Sequence, residues 1–200
     1  MSAISEVLRQ LDEWRHLPAY QLERRVDIFF GMFLPKVIER TFDIRVDEVI
    51  PEFPLHKGML NISEAREDNQ SVNVDFAVVG HQGKKKRVLL IELKTDIGSL
   101  NPDQLENMEK ARRADSKDLL QGVIFAAWNS KSKHKYAHLI WRLVKQGCLQ
   151  SCGREITDIE LENCGQKELR EVYEDLSVGP KWRYVEVDIV VVRECQKFCV

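Results

Sequence analysis

Three residues stand where they could do chemistry together: Asp75, Glu92 and Lys94. They lie in two apolar stretches, 71–79 (SVNVDFAVV) and 87–94 (RVLLIELK), separated by 80–86 (GHQGKKK). The first and last read as strands and the middle as a turn, with two glycines for unusual backbone angles. If the turn is centred between Gly83 and Lys84, Asp75 falls opposite Glu92. Side chains alternate along a strand, so Glu92 and Lys94 share a face, and cross-strand partners share a face too. Two carboxylates and one ammonium then meet at one spot, provided that no bulge shifts the register.

Such a group has a definable use. Neighbouring carboxylates repel, and one tends to hold a proton. A divalent cation relieves the repulsion, and Mg2+ favours one or two carboxylates together with waters and phosphate oxygens. The ion polarises a phosphoryl group and lowers the pKa of water. Lys94 would orient or help deprotonate the attacking water, or stabilise charge growing on the phosphate. The competing reading makes Glu92 and Lys94 exposed strand residues in weak surface pairs, each worth under about 1 kcal/mol, with Asp75 capping a turn. Asp188 in VEVDIVVV is a reminder that an acid within a strand need not be catalytic.

The pattern V-D75-F followed by I-E92-L-K94 resembles the D…(D/E)-x-K core of the PD-(D/E)XK nuclease superfamily. The surrounding order is similar as well: helix, strand, hairpin bearing the motif, crossover helix, strand. The resemblance covers about 20–128, with Val74 where the motif name has proline. It implies an α/β protein with a restriction-endonuclease-like core, a central mixed sheet containing an antiparallel hairpin, and flanking helices. It also implies a nuclease that hydrolyses phosphodiesters in nucleic acid, DNA before RNA, with Mg2+ or Mn2+ on Asp75 and Glu92. A further acid on the first core helix would be Glu23, with Glu39 as competitor, and Gln104 would act from the helix after the lysine. Gln104 has a structural alternative, since Asn101 and Gln104 have capping-box spacing. The QxxxY pattern of one branch is absent, because Met108 takes the tyrosine position. The resemblance leaves room for a homodimer, as often found among relatives that cut both strands. A non-catalytic binding or scaffolding module keeping the fold is the alternative function, since function lives in the site rather than the fold.

The elements around the motif follow from periodicity. Residues 4–14 carry Ile4, Val7, Leu8, Leu11 and Trp14 on a helical stripe, and a second helix is expected over 20–34, with Pro35 kinking or restarting it. Residues 47–56 read as extended. A helix is expected over about 101–120, a buried strand over 123–128 (VIFAAW), an amphipathic helix over 135–146, a helix over 166–176 and a last strand over 184–192. The polar stretch 148–182 reads as peripheral and as a place where a protein partner would dock.

Composition sets the outer limits. Two hundred residues with 44% hydrophobic content fit a single domain over 1–200. Thirty basic against 32 acidic residues leave a net charge of −2, so nucleic acid would have to be held by local clusters rather than bulk charge. Candidate phosphate contacts are Lys84, Lys85, Lys86 and Arg87 in the turn, Lys131, Lys133 and Lys135 after VIFAAW, and Lys110, Arg112 and Arg113 on the crossover helix. A run of lysines is otherwise a solvated turn. No apolar run reaches the roughly 18 residues of a membrane span and no secretory pattern opens the chain, so a cytoplasmic protein is expected. Five cysteines, all from residue 148 onward, read as reduced thiols rather than a disulfide framework or a zinc site.

Overall fold

The computed structural model describes residues 23–58, 71–94, 102–153 and 155–193. The stripe at 4–14, Cys195 and Cys199 lie outside the described residues. Helix α1 (Glu23–Phe42) leads into a meander of three strands, β1 (Arg45–His56), β2 (Ser71–Gln82) and β3 (Lys85–Lys94). Then come α2 (Pro102–Arg113), α3 (Ser116–Asn129), α4 (His134–Lys145), β4 (Leu149–Ser151), α5 (Asp158–Asn163), α6 (Gln166–Glu174) and β5 (Leu176–Val178). A short 3-10 turn, Pro180–Trp182, precedes β6 (Val187–Arg193). The main sheet has the order β1-β2-β3-β6; β1, β2 and β3 pair antiparallel, and β6 joins β3 in parallel. The architecture is therefore α/β, with a mixed four-stranded sheet between helices.

The hairpin has the expected centre. Gln82 pairs with Lys85, so the turn is Gly83 and Lys84 alone, and Gly83 takes the φ of +58° that a two-residue hairpin asks of it. Gly80 belongs to β2 instead. A Cβ there would lie 2.4 Å from the Arg45 carbonyl oxygen, where β1 slips by one residue between Val46 and Glu48. Glycine thus permits a close backbone approach at a bulge.

The two sheet faces bury different partners. Leu34 and Ile38 of α1 cluster with Phe76, Val78, Leu89, Ile91 and Leu93. On the other face Ala77, Val79, Val88 and Leu90 join Met108 and Ala111 of α2, Val123 and Ala127 of α3, and Ile140 and Leu143 of α4. Helix α1 continues through Pro35 without a break in assignment. Its outer side exposes Phe30, Met32, Phe33 and Val37.

Three expectations are corrected. Residues 123–128 are helical rather than a strand. Read back to the cap, Ser116, Leu119, Leu120, Val123, Ile124 and Ala127 are buried at helical spacing, and the Asp115 side chain accepts the Asp118 N–H at 3.0 Å. A short apolar run carries no period of its own, and burial on several sides hid the helix within it. The single helix expected over 101–120 is accordingly two, broken at Ala114 and Asp115. The fourth strand of the sheet is β6, which lies beyond the 20–128 stretch that carries the resemblance. Lastly, 148–182 is not peripheral: Leu149, Leu161, Leu169, Val172, Tyr173 and Trp182 are buried in the main core. Its polar residues are the solvent faces of short elements such as α6, whose apolar positions turn inward.

Candidate active site

The β2–β3 ladder fixes where the three candidate residues meet. The recorded pairs run from Gln82–Lys85 to Phe76–Ile91, and one further step in the same register sets Asp75 against Glu92. The ladder ends here in side chain-to-backbone contacts. The Leu93 N–H donates to Asp75 Oδ2 at 2.6 Å, and the Asp75 backbone N–H reaches the Glu92 carboxylate. Lys94 Nζ lies 2.7 Å from Glu92 Oε1. Glu92 is 1% exposed and Asp75 half-buried. The weak-surface-pair reading of Glu92 and Lys94 does not fit this burial.

Strand β1 contributes a feature that periodicity did not signal. Glu52 adopts φ +51° between the pairs Pro51–Phe76 and Phe53–Val74, directly across from Asp75. A left-handed glutamate costs roughly 1–3 kcal/mol, and its carboxylate accepts the Asn73 side-chain amide at 3.2 Å. The β1–β2 pairing is thus interrupted at the position of Asp75. The sequence hint is PEFP, two prolines that cannot donate to a ladder.

Electrostatics at this spot are those of a strained acid pair. Burial pushes the Glu92 carboxyl above its ordinary value; the Lys94 hydrogen bond pulls it back, and the Asp75 charge pushes it up again. The net direction is upward, so Glu92 holds its proton more firmly than a solvated glutamate. Two carboxylates from adjacent strands are a hard-oxygen donor set of the kind that takes Mg2+ or Mn2+. Among the described residues no group of three or more His, Cys, Asp or Glu converges as a metal cluster. Glu23 begins α1 and Gln104 lies in the first turn of α2; their side chains lie outside the described residues. Glu39, the competitor, accepts the Val46 N–H at 3.4 Å.

The basic clusters divide. Lys84 and Lys85 are exposed at the hairpin tip. Seven residues of strand separate Lys85 from Glu92, about 23 Å, so the tip and the acid pair occupy opposite ends of β3. Lys86 is held by Asp47 at 3.2 Å and lies 4.9 Å over the Trp182 ring. Arg87 binds Glu186 at 2.7 Å and also Asp188, clamping β3 to β6. Both side chains thus have partners within the fold. Lys133 Nζ donates to the Ser130 carbonyl at 2.8 Å, closing the turn before α4, while Lys131 and Lys135 are exposed. On α2, Lys110 pairs with Glu106 and Arg112 with Glu109. Cys148, Cys152 and Cys164 are free thiols, and burial pushes the Cys148 thiol up to about 12, which removes it as a nucleophile.

Compared with family models, with curated proteins and with solved structures, the chain matches none. Among the described residues no helix is long and apolar enough to cross a membrane.

Proposed function

We propose that the protein is a metal-dependent nuclease of the PD-(D/E)XK type, with Asp75 and Glu92 as ligands of Mg2+ or Mn2+ and Lys94 as the third active group. The observation that carries the reading is the buried Glu92 carboxylate, pressed between the Asp75 charge and the Lys94 ammonium at the open end of the central hairpin. Burying a charge is costly unless partners compensate, and a second carboxylate beside it is the wrong partner unless a cation is to come. The order of elements supports the same reading: one helix, a three-strand meander and a crossover to a fourth strand parallel to the third.

A divalent ion would supply Lewis acidity and a more acidic water. The chain's own residues do the rest. Asp75 is held in place by the Leu93 N–H, so its carboxylate is pre-aimed. With its carboxyl raised by burial, Glu92 would take a cation in competition with a proton. Lys94, with three N–H donors, can serve Glu92 and a phosphate oxygen together, placing positive charge where negative charge grows. Glu23 and Gln104 are the further candidates from the resemblance.

The test is cleavage of a panel of DNA and RNA substrates with Mg2+ or Mn2+. Wild type should cut, and Asp75→Ala and Lys94→Ala should not. Equal cutting by all three would sink the proposal. A second reading, an inactive nuclease fold serving as a binding module, draws on the same contacts. Lys94 and Leu93 already satisfy much of the carboxylate pair. Calorimetry showing no Mn2+ binding would favour it.

A further inference from the structure

We propose that the hairpin tip and the loop before β6 form a second contact for nucleic acid, a platform for a single strand. Tyr184 stacks against an unpaired base, and Lys84, Lys85, Lys181 and Arg183 hold the phosphates around it. The inference rests on the nuclease reading, and it extends it by naming single-stranded nucleic acid as the ligand.

The two segments are neighbours by register. Val88 pairs with Val187 in the parallel β3–β6 ladder. That pairing sets the start of β3 beside the chain that leaves the 3-10 turn at Pro180–Trp182. Contacts bridge the two segments: Lys86, next to Lys85, lies 4.9 Å over the ring of Trp182, next to Arg183; Arg87 reaches Glu186, and the Val88 N–H donates to the Glu186 carbonyl at 3.4 Å.

The loop is built rather than loose. Ser116, 1% exposed, donates through Oγ to the Trp182 carbonyl at 2.5 Å and accepts the Val185 N–H at 2.9 Å. Trp182 and Val185 are buried on either side. Between these anchors Arg183 and Tyr184 point outward, and Tyr184 is 85% exposed. A ring this exposed, presented by a pinned backbone, needs little further ordering to bind.

Charge agrees with the ring. Lys84, Lys85, Lys181 and Arg183 are all exposed, whereas Glu186 is engaged by Arg87 and Asp47 by Lys86 and His81. A chain of net charge −2 thus carries a local group of four cations. Aromatic stacking among phosphate contacts is how single strands are held, because every unpaired base offers a π-face. A duplex hides its bases from such a ring. An anionic bilayer would call for a broad apolar face beside the cations.

Fluorescence anisotropy of wild type in EDTA, where the proposed metal is withheld, tests this with dT20, rU20, a 20-base-pair duplex and phosphatidylserine vesicles. Wild type should bind one or both single strands more tightly than the duplex and the vesicles; a preference between dT20 and rU20 identifies the sugar. Tyr184→Ala should weaken that binding about tenfold at unchanged salt dependence, and Tyr184→Phe should keep it. The double variant Lys84→Ala/Lys85→Ala should lower the slope of log affinity against log salt by about 1.4. All these side chains are exposed, so thermal midpoints matching wild type confirm folding. Failure of wild type to bind either strand, tighter binding to duplex or vesicles, or unchanged binding by the tip variants overturns the inference. Asp75→Asn separates the two readings. If the tip variants bind normally while cleavage depends on Asp75, the platform falls and the nuclease stands. If the tip variants lose binding while nothing is cleaved, the platform stands and the nuclease falls.

Discussion

Asp75→Asn is the perturbation that most directly examines the acid pair. Paired strand positions put Cβ atoms about 5 Å apart. Two full charges at that separation repel by about 3 kcal/mol at an effective dielectric of 20. Asparagine removes this repulsion yet keeps an oxygen to accept the Leu93 N–H, which Asp75 accepts at 2.6 Å. The metal-free variant should therefore be at least as stable as wild type at neutral pH. It should lose its response to metal. For wild type, an ion at a hundred times its dissociation constant adds about 2.7 kcal/mol, which for a chain this size is a rise in Tm of about 5–10 °C. Differential scanning calorimetry in EDTA and in rising Mn2+ reads both effects. A variant that keeps the full Mn2+ shift, or one that melts far below wild type in EDTA, would refute the reasoning. The first outcome would mean that Asp75 is not a ligand; the second, that its charge stabilises the fold rather than straining it.

Other consequences follow from the same contacts. Glu92 is raised above its ordinary 4.5, first by burial and then by Asp75; its contribution to stability is therefore present below that value and lost as pH rises through the raised one. Metal-free melting curves should show this decline, and Mn2+ should abolish it by taking the proton's place. For the same reason Mn2+ affinity should fall as pH drops through the raised Glu92 range, and an affinity independent of pH there would speak against Glu92 as ligand. Lys94→Met keeps the stem but strips Glu92 of its ammonium; we expect a loss of about 3–5 kcal/mol in metal-free stability and of about 10²–10³ in cleavage rate, with Mn2+ binding retained by calorimetry. Arg87→Ala should cost about 1–3 kcal/mol by urea unfolding, because it releases both Glu186 and Asp188 across the β3–β6 join. Gly80→Ala should be still more damaging in the same assay, since its methyl meets the Arg45 carbonyl at 2.4 Å.

What the sequence revealed and what it concealed divide along the range of the forces involved. A two-residue turn at Gly83 and Lys84 is a local event, and once its centre is known every pair in the hairpin is known, down to Phe76 and Ile91, one step short of Asp75 and Glu92. The amphipathic helix α4 was legible for a similar reason: Ala137, Ile140 and Leu143 face the core at a period that no strand shares. VIFAAW was not legible, because its burial comes from elements far away in the chain. Buried on several sides, the segment shows no polar stripe to reveal a helix. The true fourth strand was seen as a strand but given no place in the sheet. Its pairing with β3 spans nearly a hundred residues, and Arg87 holding Glu186 and Asp188 is a contact no local pattern announces.

The same distinction explains the basic residues. KKKR reads as one cluster in the sequence, yet the strand begins at its second lysine, and from there successive side chains part to opposite faces. Lys86 goes to Asp47 and Trp182, and Arg87 to β6. Lys84 and Lys85 stay with the solvent, and the contact of Lys86 with Trp182 brings the exposed Arg183 and Tyr184 to the same end of β3. The sheet therefore carries two distinct electrostatic ends on one rigid strand. On the proposed reading, the acid pair where β3 ends would take a cation, and the cations where β3 begins would take an anion. A strand of nucleic acid with its metal counter-ion supplies both, so the separation of about 23 Å along β3 becomes a length requirement. Oligonucleotides too short to span it, below about seven stacked steps of 3.4 Å, should be cut with a raised KM and an unchanged kcat. A length series measured on wild type and on Tyr184→Ala should converge for short substrates and diverge for long ones. Parallel curves at all lengths would mean that the two ends act independently.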